Sequence, residues 1–396
     1  MFKKITVFVL IAAMVLSLAA CGSSGSQDAA ADPTKETVKI GVLVSDTTSA
    51  EALAFRAYYE NYIQKQYNVE FMYSDELSDA AAEQSAIDNF IANNCKAIIS
   101  FASADRPAQI EKCEAEGVYY AVATGTLTDE QYEQFKSYEH YVGAIGPDLV
   151  TEFQAGYDMA KYYLDQGYTK FGMFTGASVY FTEMHIFRAA GMIAAMADKA
   201  GTTYKDKSGM GVAEAIMADG GNVETGKIGD IELNGVVSGY DFDDAWFGKL
   251  AQVANDPNVE VLLAVGSGQV TFAGVKPEGK PLGDIDCYTA DAVALMESGT
   301  LDYLAGKFSA SIGPIFAATL SAVYGQPIRD ESGNAFALSQ GYWVATNAEQ
   351  AKQYFEVDSS TTAPAYTKDM LDTLIGSSYS DFTKFVSAYS FEEIQK

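Results

Sequence analysis

The segment Val38-Lys39-Ile40-Gly41-Val42-Leu43-Val44 decides the fold of this chain. Its short apolar run, rich in valine and isoleucine, predicts a buried strand. Apolar residues at helical spacing follow from Ala50 to Tyr67, and a second apolar run lies at Val69 to Tyr73. Two strands separated by a helix pair in parallel through a crossover connection. The folded part of the chain therefore begins with a βα repeat.

The same alternation continues as far as Ile145 and then restarts. In the first half it predicts helices at Asp79 to Asn93 and Pro107 to Glu116, and strands at Lys96 to Phe101, Val118 to Ala123 and Tyr141 to Ile145. In the second half it predicts helices at Thr151 to Gln166, Phe181 to Lys199, Ala245 to Ala254 and Ala290 to Met296, and strands at Lys170 to Thr175, Gly235 to Ser238, Val259 to Val265 and Asp284 to Tyr288. We predict an α/β fold with two doubly wound, Rossmann-like lobes of parallel sheet. Because such sheets bind ligands outside the carboxyl ends of their strands, two facing lobes would form a ligand cleft.

The first 21 residues have the pattern of a bacterial export signal. A basic start, Met1 to Lys4, precedes the apolar run Ile5 to Ala20, which is shorter than the roughly 20 residues of a membrane-spanning helix. Leu18-Ala19-Ala20-Cys21-Gly22 then resembles a lipobox, the site at which a lipoprotein signal is removed and its cysteine acylated. We expect residues 1–20 to be this signal peptide and residues 21–37 a flexible linker. The body would then lie outside the bacterial cell membrane, anchored by lipid on Cys21 rather than by a protein span.

Composition excludes several classes of protein. The chain has 53 acidic and 26 basic side chains and a formal net charge of −27, which disfavours nucleic-acid binding and favours a soluble body, expected to be a monomer. Cys95, Cys113 and Cys287 match no metal-binding spacing, so buried free thiols are expected, with a Cys95–Cys113 disulfide left open. With two histidines and no nucleophile motif, we expect no metal, no cofactor and no enzymatic activity.

Four short segments, in this order along the chain, resemble the type I periplasmic-binding-protein superfamily, especially its sugar-binding, ribose-receptor-like ABC transporter lipoproteins. The resemblance covers roughly residues 38–351. The segments are Phe187 to Gly191, Asp256 to Leu263, Glu297 to Leu301 with Ile312-Gly313 downstream, and Tyr342 to Asn347.

This resemblance implies a two-lobed receptor that closes about a hinge crossed three times by the chain. The crossings are expected near Gly146-Pro147, Lys307-Phe308 and Gly341-Tyr342. Lobe one would hold residues 38–146 and 308–341, and lobe two residues 147–307 and 342–396, with Tyr366 to Lys396 packed against lobe two. The implied function is the binding component of an ABC importer, which takes a small polar solute, a carbohydrate, to permease subunits.

Three departures from the sugar-binding pattern weaken the assignment of a sugar ligand. The stretch Ser45 to Ala52 has no aromatic residue where that branch keeps the pair that sandwiches a sugar ring. The Asp-Arg pair after the fourth strand is replaced by Thr124-Gly125-Thr126, and the later Asn-Asp pair by Gly266 to Gln269.

Residues at the expected strand ends are the candidates for ligand binding. Arg188 is the strongest, because its guanidinium could clamp a carboxylate or two hydroxyls, with an inter-helix ion pair as the alternative. Asp46 could instead cap the following helix. Aromatic side chains would suit a sugar ring or a base, with the core as the alternative. The full set is Asp46, Thr47, Ser103, Arg106, Thr124, Phe181, Arg188, Tyr240, Ser267, Gln269, Tyr288 and Asp291.

Two other functions remain open. The strand Phe171 to Gly176, followed by Phe187 to Gly191, also resembles the basic-membrane-protein lipoproteins that bind purine nucleosides. A surface sensor that reports its ligand to a kinase or chemoreceptor would have the same sequence features.

Overall fold

A computed structural model describes residues 36–176, 183–307, 309–358, 360, 362–388 and 390–391. The expected signal peptide, the lipidation site Cys21 and the candidate Phe181 lie outside the described residues. No helix in these ranges is long and apolar enough to span a membrane.

Thirteen strands are described: β1 (Val38–Leu43), β2 (Val69–Tyr73), β3 (Ala97–Ser100), β4 (Tyr119–Ala123), β5 (Tyr141–Gly146), β6 (Lys170–Phe174), β7 (Gly226–Ile228), β8 (Ile231–Val237), β9 (Val261–Ala264), β10 (Leu282–Cys287), β11 (Tyr303–Lys307), β12 (Phe336–Ser339) and β13 (Trp343–Ala345). The α-helices are α1 (Ala50–Tyr58), α2 (Gln64–Gln66), α3 (Ala80–Ala92), α4 (Arg106–Glu116), α5 (Asp129–Phe135), α6 (Leu149–Asp165), α7 (Glu183–Lys199), α8 (Gly211–Ala218), α9 (Asp244–Asn255), α10 (Ala290–Glu297), α11 (Gly313–Val323), α12 (Ala348–Asp358), α13 (Lys368–Leu374) and α14 (Tyr379–Ser387). A π-helical turn, Tyr59–Ile63, joins α1 to α2.

The strands form two sheets, one in each lobe. The sheet of lobe one has the order β12-β5-β4-β3-β1-β2, with every neighbouring pair parallel. The sheet of lobe two has the order β13-β11-β10-β9-β6-β8-β7 and is parallel except for its two edge strands. The prediction of an α/β fold with two parallel-dominated sheets is confirmed.

Most of the described helices begin where a side-chain oxygen accepts a backbone N–H of the first turn. Asp243 caps α9 in this way, so the acidic run Asp241 to Asp244 forms a turn and helix cap. The sequence analysis missed α5, although Thr128 and Gln131 form a reciprocal capping box at its start. It also missed α8, β7, β11, α11 and β12.

The chain passes between the sheets after β5, after β11 and after β12. The first passage is tightly packed, because a Cβ added at Gly146 would lie 2.0 Å from the backbone nitrogen of Gly125. Only glycine allows this approach of the β4–α5 loop to the connection that leaves lobe one.

The C-terminal tail packs against lobe one over most of its length, so the prediction that it packs against lobe two is wrong. The hydroxyl of Tyr58 donates to the carbonyl of Tyr366 over 2.8 Å, and the Phe382 ring lies 4.9 Å from that of Phe336 on β12. The apolar face of α13 and α14 covers the side of lobe one formed by α11 and β12. Phe391 returns to lobe two, where its ring lies 4.9 Å from that of Tyr354.

Truncating Phe382 tests the attachment of the tail. Phe382 is fully buried, so Phe382→Ala should lower the free energy of unfolding by about 3–5 kcal/mol through the cavity it creates. Hydrogen exchange should accelerate in β12 and α11 and stay unchanged in α10. The exposed Ser387→Ala on the same helix is the control. A loss below about 1 kcal/mol, or faster exchange in α10 instead, would contradict this packing.

Candidate functional site

The carboxyl ends of the lobe-one strands open into a cavity that communicates with solvent. Helix α1 forms one wall, and the residues that follow β1, β2, β3 and β4 form the other. Its lining includes Asp46, Glu51, Phe55, Arg56, Tyr73, Phe101 and Thr124. Of the predicted site residues in lobe one, Asp46 and Thr124 therefore lie at the cavity.

Asp46 both caps the turn before α1 and faces the cavity. Its Oδ1 accepts the backbone N–H groups of Thr48 at 2.6 Å and Ser49 at 3.2 Å. These hydrogen bonds, led by that of the Thr48 backbone, hold the pKa of Asp46 below its ordinary value. The second carboxylate oxygen takes no part in the cap, so a ligand hydroxyl could donate to it.

Thr124 links the cavity to the passage between the lobes. Its backbone has φ of 59°, a left-handed conformation that is strained for a β-branched residue. Its hydroxyl donates to the carbonyl of Phe101 over 3.3 Å. Strain of this kind persists where the surrounding structure holds it, which is common at ligand sites.

The aromatic wall of the cavity comes from elements that the sequence analysis did not consider for it. The rings of Phe55 on α1 and Phe101 after β3 lie 5.0 Å apart. The guanidinium of Arg56 lies 4.6 Å from the centre of the Tyr73 ring at the end of β2. The sequence led us to expect a sandwiching pair only in the loop after β1, Ser45 to Ala52, which has no aromatic residue. The sequence signal that could have revealed this aromatic wall was the position of Tyr73 and Phe101 at the ends of the predicted strands β2 and β3.

Ser103 and Arg106 are tied into lobe one. The hydroxyl of Ser103 donates to Glu83 over 2.8 Å, and this buried carboxylate also accepts the backbone N–H of Ala104. Burial raises the pKa of Tyr120 to about 12, and the nearby Arg106 guanidinium opposes that rise. Arg106 is half-buried at the start of α4 near Tyr120, and its role in ligand binding stays a prediction. Glu83, which organises this loop, was missed.

In lobe two, a pair of aspartates positions the loop after β9. Asp284 and Asp286 lie on one face of β10, and the backbone N–H groups of Gln269 and Ser267 donate to them over 3.0 and 2.9 Å. The side-chain amide of Gln269 donates to the carbonyl of Cys287 over 3.1 Å and accepts from Thr289. The amide of Gln269 is therefore used within the protein.

Tyr240 and Ser267 meet at the carboxyl edge of the lobe-two sheet. Burial raises the pKa of Tyr240 to about 12, although a hydrogen bond with the Ser267 hydroxyl lowers it. The Tyr240 ring lies 5.8 Å from that of Phe242, which is 57% exposed and has φ of 52°. An exposed bulky side chain in this backbone conformation is unusual and marks the rim of lobe two as a candidate surface for ligand.

Arg188, the strongest candidate from sequence, is held in a buried network. Its Nε donates to Glu152 over 2.7 Å, its Nη1 to the carbonyls of Val265 and Ile285, and its Nη2 to the Tyr342 hydroxyl over 2.6 Å. The residue is only 4% exposed. The inter-helix ion pair, considered as the alternative, is the arrangement that the structure contains.

The remaining candidates divide between core, surface and the undescribed part of the chain. Tyr288 is buried and donates to the carbonyls of Trp343 and Leu304, so its assignment to the ligand site is a correction. Its ring packs against Gly306 on β11. Asp291 is exposed in the first turn of α10, and Thr47 is half-buried beside the cavity loop. Phe181 lies outside the described residues.

The cysteines and the acidic groups have no metal-site arrangement in the described part of the chain. Cys95, Cys113 and Cys287 are buried free thiols, so the Cys95–Cys113 disulfide that the sequence left open is not formed. No group of three or more histidine, cysteine or acidic side chains is placed to hold a metal ion in the same ranges.

The fully buried Asp284 of β10 predicts a pH-dependent stability. Burial raises the pKa of Asp284 above its ordinary value, and the charge of Asp286 adds to the rise. A carboxyl of this kind favours the folded state at low pH, and its contribution is lost as pH rises above about 4 toward the folded pKa.

The free energy of unfolding of Asp284→Asn should therefore increase relative to that of the wild type as pH rises from about 4 to 8. Urea unfolding of both proteins across this pH range measures the difference. Asparagine keeps an oxygen that can accept from Gln269. The exposed Asp75→Asn serves as the control, and its curve should run parallel to that of the wild type. Parallel curves for Asp284→Asn as well would show that this carboxyl ionises alike in the folded and unfolded chains.

Comparison with known proteins identifies the fold. No family model and no curated protein matches the sequence. Among solved structures, an ABC transporter periplasmic solute-binding protein from Actinobacillus succinogenes with bound D-allose matches with a TM-score of 0.60 at 14% identity, over 80% of this chain and 100% of that one. A solute-binding protein from Bacillus halodurans with bound myo-inositol matches with a TM-score of 0.56 at 16% identity, over 81% and 97%. One from Clostridium phytofermentans with bound β-D-glucose matches with a TM-score of 0.54 at 15% identity, over 84% and 99%. This chain therefore has the fold of the type I periplasmic binding proteins.

Proposed function

We propose that this protein is an extracytoplasmic solute-binding lipoprotein of an ABC importer, which closes its two lobes on a small carbohydrate. The observation that carries the proposal is the cavity at the carboxyl ends of the lobe-one strands. In lobe two, Tyr240 and Ser267 likewise follow the carboxyl ends of strands. Polar groups and aromatic rings together suit a solute with hydroxyls and an apolar ring face.

The polar groups have the chemistry that sugar hydroxyls need. A sugar hydroxyl can donate to the unused oxygen of Asp46 and exchange hydrogen bonds with the hydroxyls of Thr124, Tyr240 and Ser267. Glu51 belongs to the same set, because it lines the cavity. Burial raises the pKa of Asp286 in lobe two, and the charge of Glu51 adds to that rise. Carboxylates of both lobes would therefore act on one region, where the hydroxyls of a bridging ligand could donate hydrogen bonds to each side.

Binding would work by closure of the lobes. A ligand that contacts both lobes stabilises the closed arrangement by its differential affinity for it, and the passages between the sheets act as the hinge. The closed protein would then be recognised by permease subunits. No bond is made or broken in this cycle, so the protein is proposed as a binding protein and not an enzyme.

A nucleoside is the second candidate ligand. Phe55 and Phe101 form an aromatic wall on which a purine base could stack as a sugar ring does. A sensor that reports to a kinase or chemoreceptor would use the same closure, and the presence of permease and ATPase genes beside this one would favour transport.

A ligand panel tests the proposal directly. The melting temperature should rise with at least one carbohydrate and stay unchanged with amino acids and short peptides. Tyr240→Phe, which removes one hydroxyl and keeps the ring, should weaken binding by about fivefold, since a hydrogen bond contributes about 1 kcal/mol.

Tyr157→Phe is the matched control, because this hydroxyl of lobe two bonds to Asp198 on the adjacent helix. The Tyr157→Phe variant should bind the carbohydrate with the same affinity as the wild type. A response to purine nucleosides alone would favour the second candidate, and no response to any of these solutes would reject the binding function.

The lipid anchor gives a separate prediction. Cys21→Ser removes the thiol that the expected lipobox would acylate, so the variant should appear in the soluble extracytoplasmic fraction and lose labelling by radioactive palmitate. Cys287→Ser, at a buried thiol of lobe two, should keep both membrane attachment and label. Membrane attachment of the Cys21→Ser protein would contradict anchoring through this residue.

A further inference from the structure

We propose that the C-terminal segment is a strap across the hinge, held to lobe two by a latch, the ring of Phe391. The strap consists of residues 366–388 together with Phe391. This inference rests on the proposed function, because it concerns the movement by which the two lobes would close on a solute. It assigns to the tail the control of the lobe arrangement before any solute binds.

The lobe-one end of the strap is anchored by buried rings and long-range hydrogen bonds. The backbone N–H of Lys368 donates to the hydroxyl of Tyr62 over 2.7 Å. The ring of Phe382 is fully buried and lies 4.9 Å from that of Phe336 on β12. Burial of large apolar side chains is the dominant favourable contribution to such packing. Helices α13 and α14 are therefore expected to move with lobe one.

The other end of the strap reaches lobe two. The ring of Phe391 meets that of Trp343 on β13 edge to face at 5.2 Å, and that of Tyr354 on α12 at 4.9 Å. These two partners are held together by Tyr288 on β10, whose ring lies 5.3 Å from that of Tyr354 and whose hydroxyl donates to the carbonyl of Trp343. Aromatic pairs at such distances attract each other beyond the area that they bury. Phe391 itself is only half-buried, so it can leave this seat without disrupting the core of lobe two.

The two anchors flank the third passage between the lobes. Phe336 lies on β12 and Trp343 on β13, and the passage Gln340 to Tyr342 connects these strands. A bend at this passage moves β13 relative to β12, and the strap bridges the same two strands. The chain from Ser387, the end of α14, to Phe391 reaches at most about 14 Å when extended. Phe391 can therefore stay docked only over a limited range of lobe arrangements.

A contact that exists in one arrangement of the lobes and not in the others shifts the population toward that arrangement. With Phe391 docked, the protein without solute should therefore hold its lobes in a narrow range of orientations. Without this contact, only the remaining connections between the lobes restrain them, while α13 and α14 stay on lobe one.

Double electron–electron resonance on the full-length protein in detergent, without solute, tests the latch. Spin labels at Glu76→Cys in lobe one and Lys249→Cys in lobe two, both exposed positions, report the distance between the lobes. The native thiols in the described ranges are buried, so the added cysteines take up the label first. In Phe391→Ala the distance distribution should broaden or shift by more than about 2 Å, the scale of a domain rearrangement. Ending the chain at Ala388 should have the same effect.

Tyr162→Ala is the matched control. It removes a half-buried ring whose partners Tyr163 and Tyr303 lie 5.0 and 5.2 Å away within lobe two. Its distance distribution should equal that of the labelled protein with Phe391 in place. An unchanged distribution in Phe391→Ala, or equal broadening in Tyr162→Ala, would overturn the latch. Because no solute is present, this outcome is independent of the ligand panel that tests the proposed function.

Discussion

Parallel pairing of the strands in each sheet is the constraint on which the rest of this structure depends. A parallel pair needs a crossover connection, so the helices cover the sheet faces and the strands end at one common edge. In lobe one this brings Asp46, Tyr73, Phe101 and Thr124 to one cavity although they are far apart in sequence. The same rule places Ser267 and the β10 aspartates at the edge of lobe two.

A buried ion pair organises lobe two behind that edge. Helices α6 and α7 approach so closely that a Cβ added at Gly156 would lie 1.9 Å from the carbonyl oxygen of Arg188. This contact sets Arg188 against Glu152, and the hydroxyl of Tyr342 bonds to both. Tyr342 lies between β12 and β13, where the chain passes from lobe one to lobe two. A buried pair with its hydrogen bonds satisfied fixes geometry more than it adds stability, so we assign it a positioning role at the hinge.

The C-terminal tail makes the connection between the lobes more extensive than three crossings. Helix α12 packs on α10 in lobe two, whereas α13 and α14 pack on lobe one. The backbone N–H of Lys368 donates to the Tyr62 hydroxyl over 2.7 Å, and Phe391 then contacts Trp343 in lobe two. The proposed closure of the lobes would therefore involve these segments as well as the three passages between the sheets.

The sequence by itself determined the α/β class, the alternation of elements and the two halves, because apolar periodicity and helix caps are local signals. It also predicted that Asp46, Thr124, Tyr240 and Ser267 bind ligand, since each follows a predicted strand, and of these Asp46 and Thr124 line the lobe-one cavity. Tertiary structure alone decided the role of Arg188, because its partners Glu152 and Tyr342 are distant in the chain. The burial of Tyr288, the aromatic wall of Phe55 and Phe101, and the docking of α13 and α14 on lobe one depend likewise on which elements become neighbours. A local pattern shows that a side chain is apolar or charged, and only long-range packing determines which groups it meets.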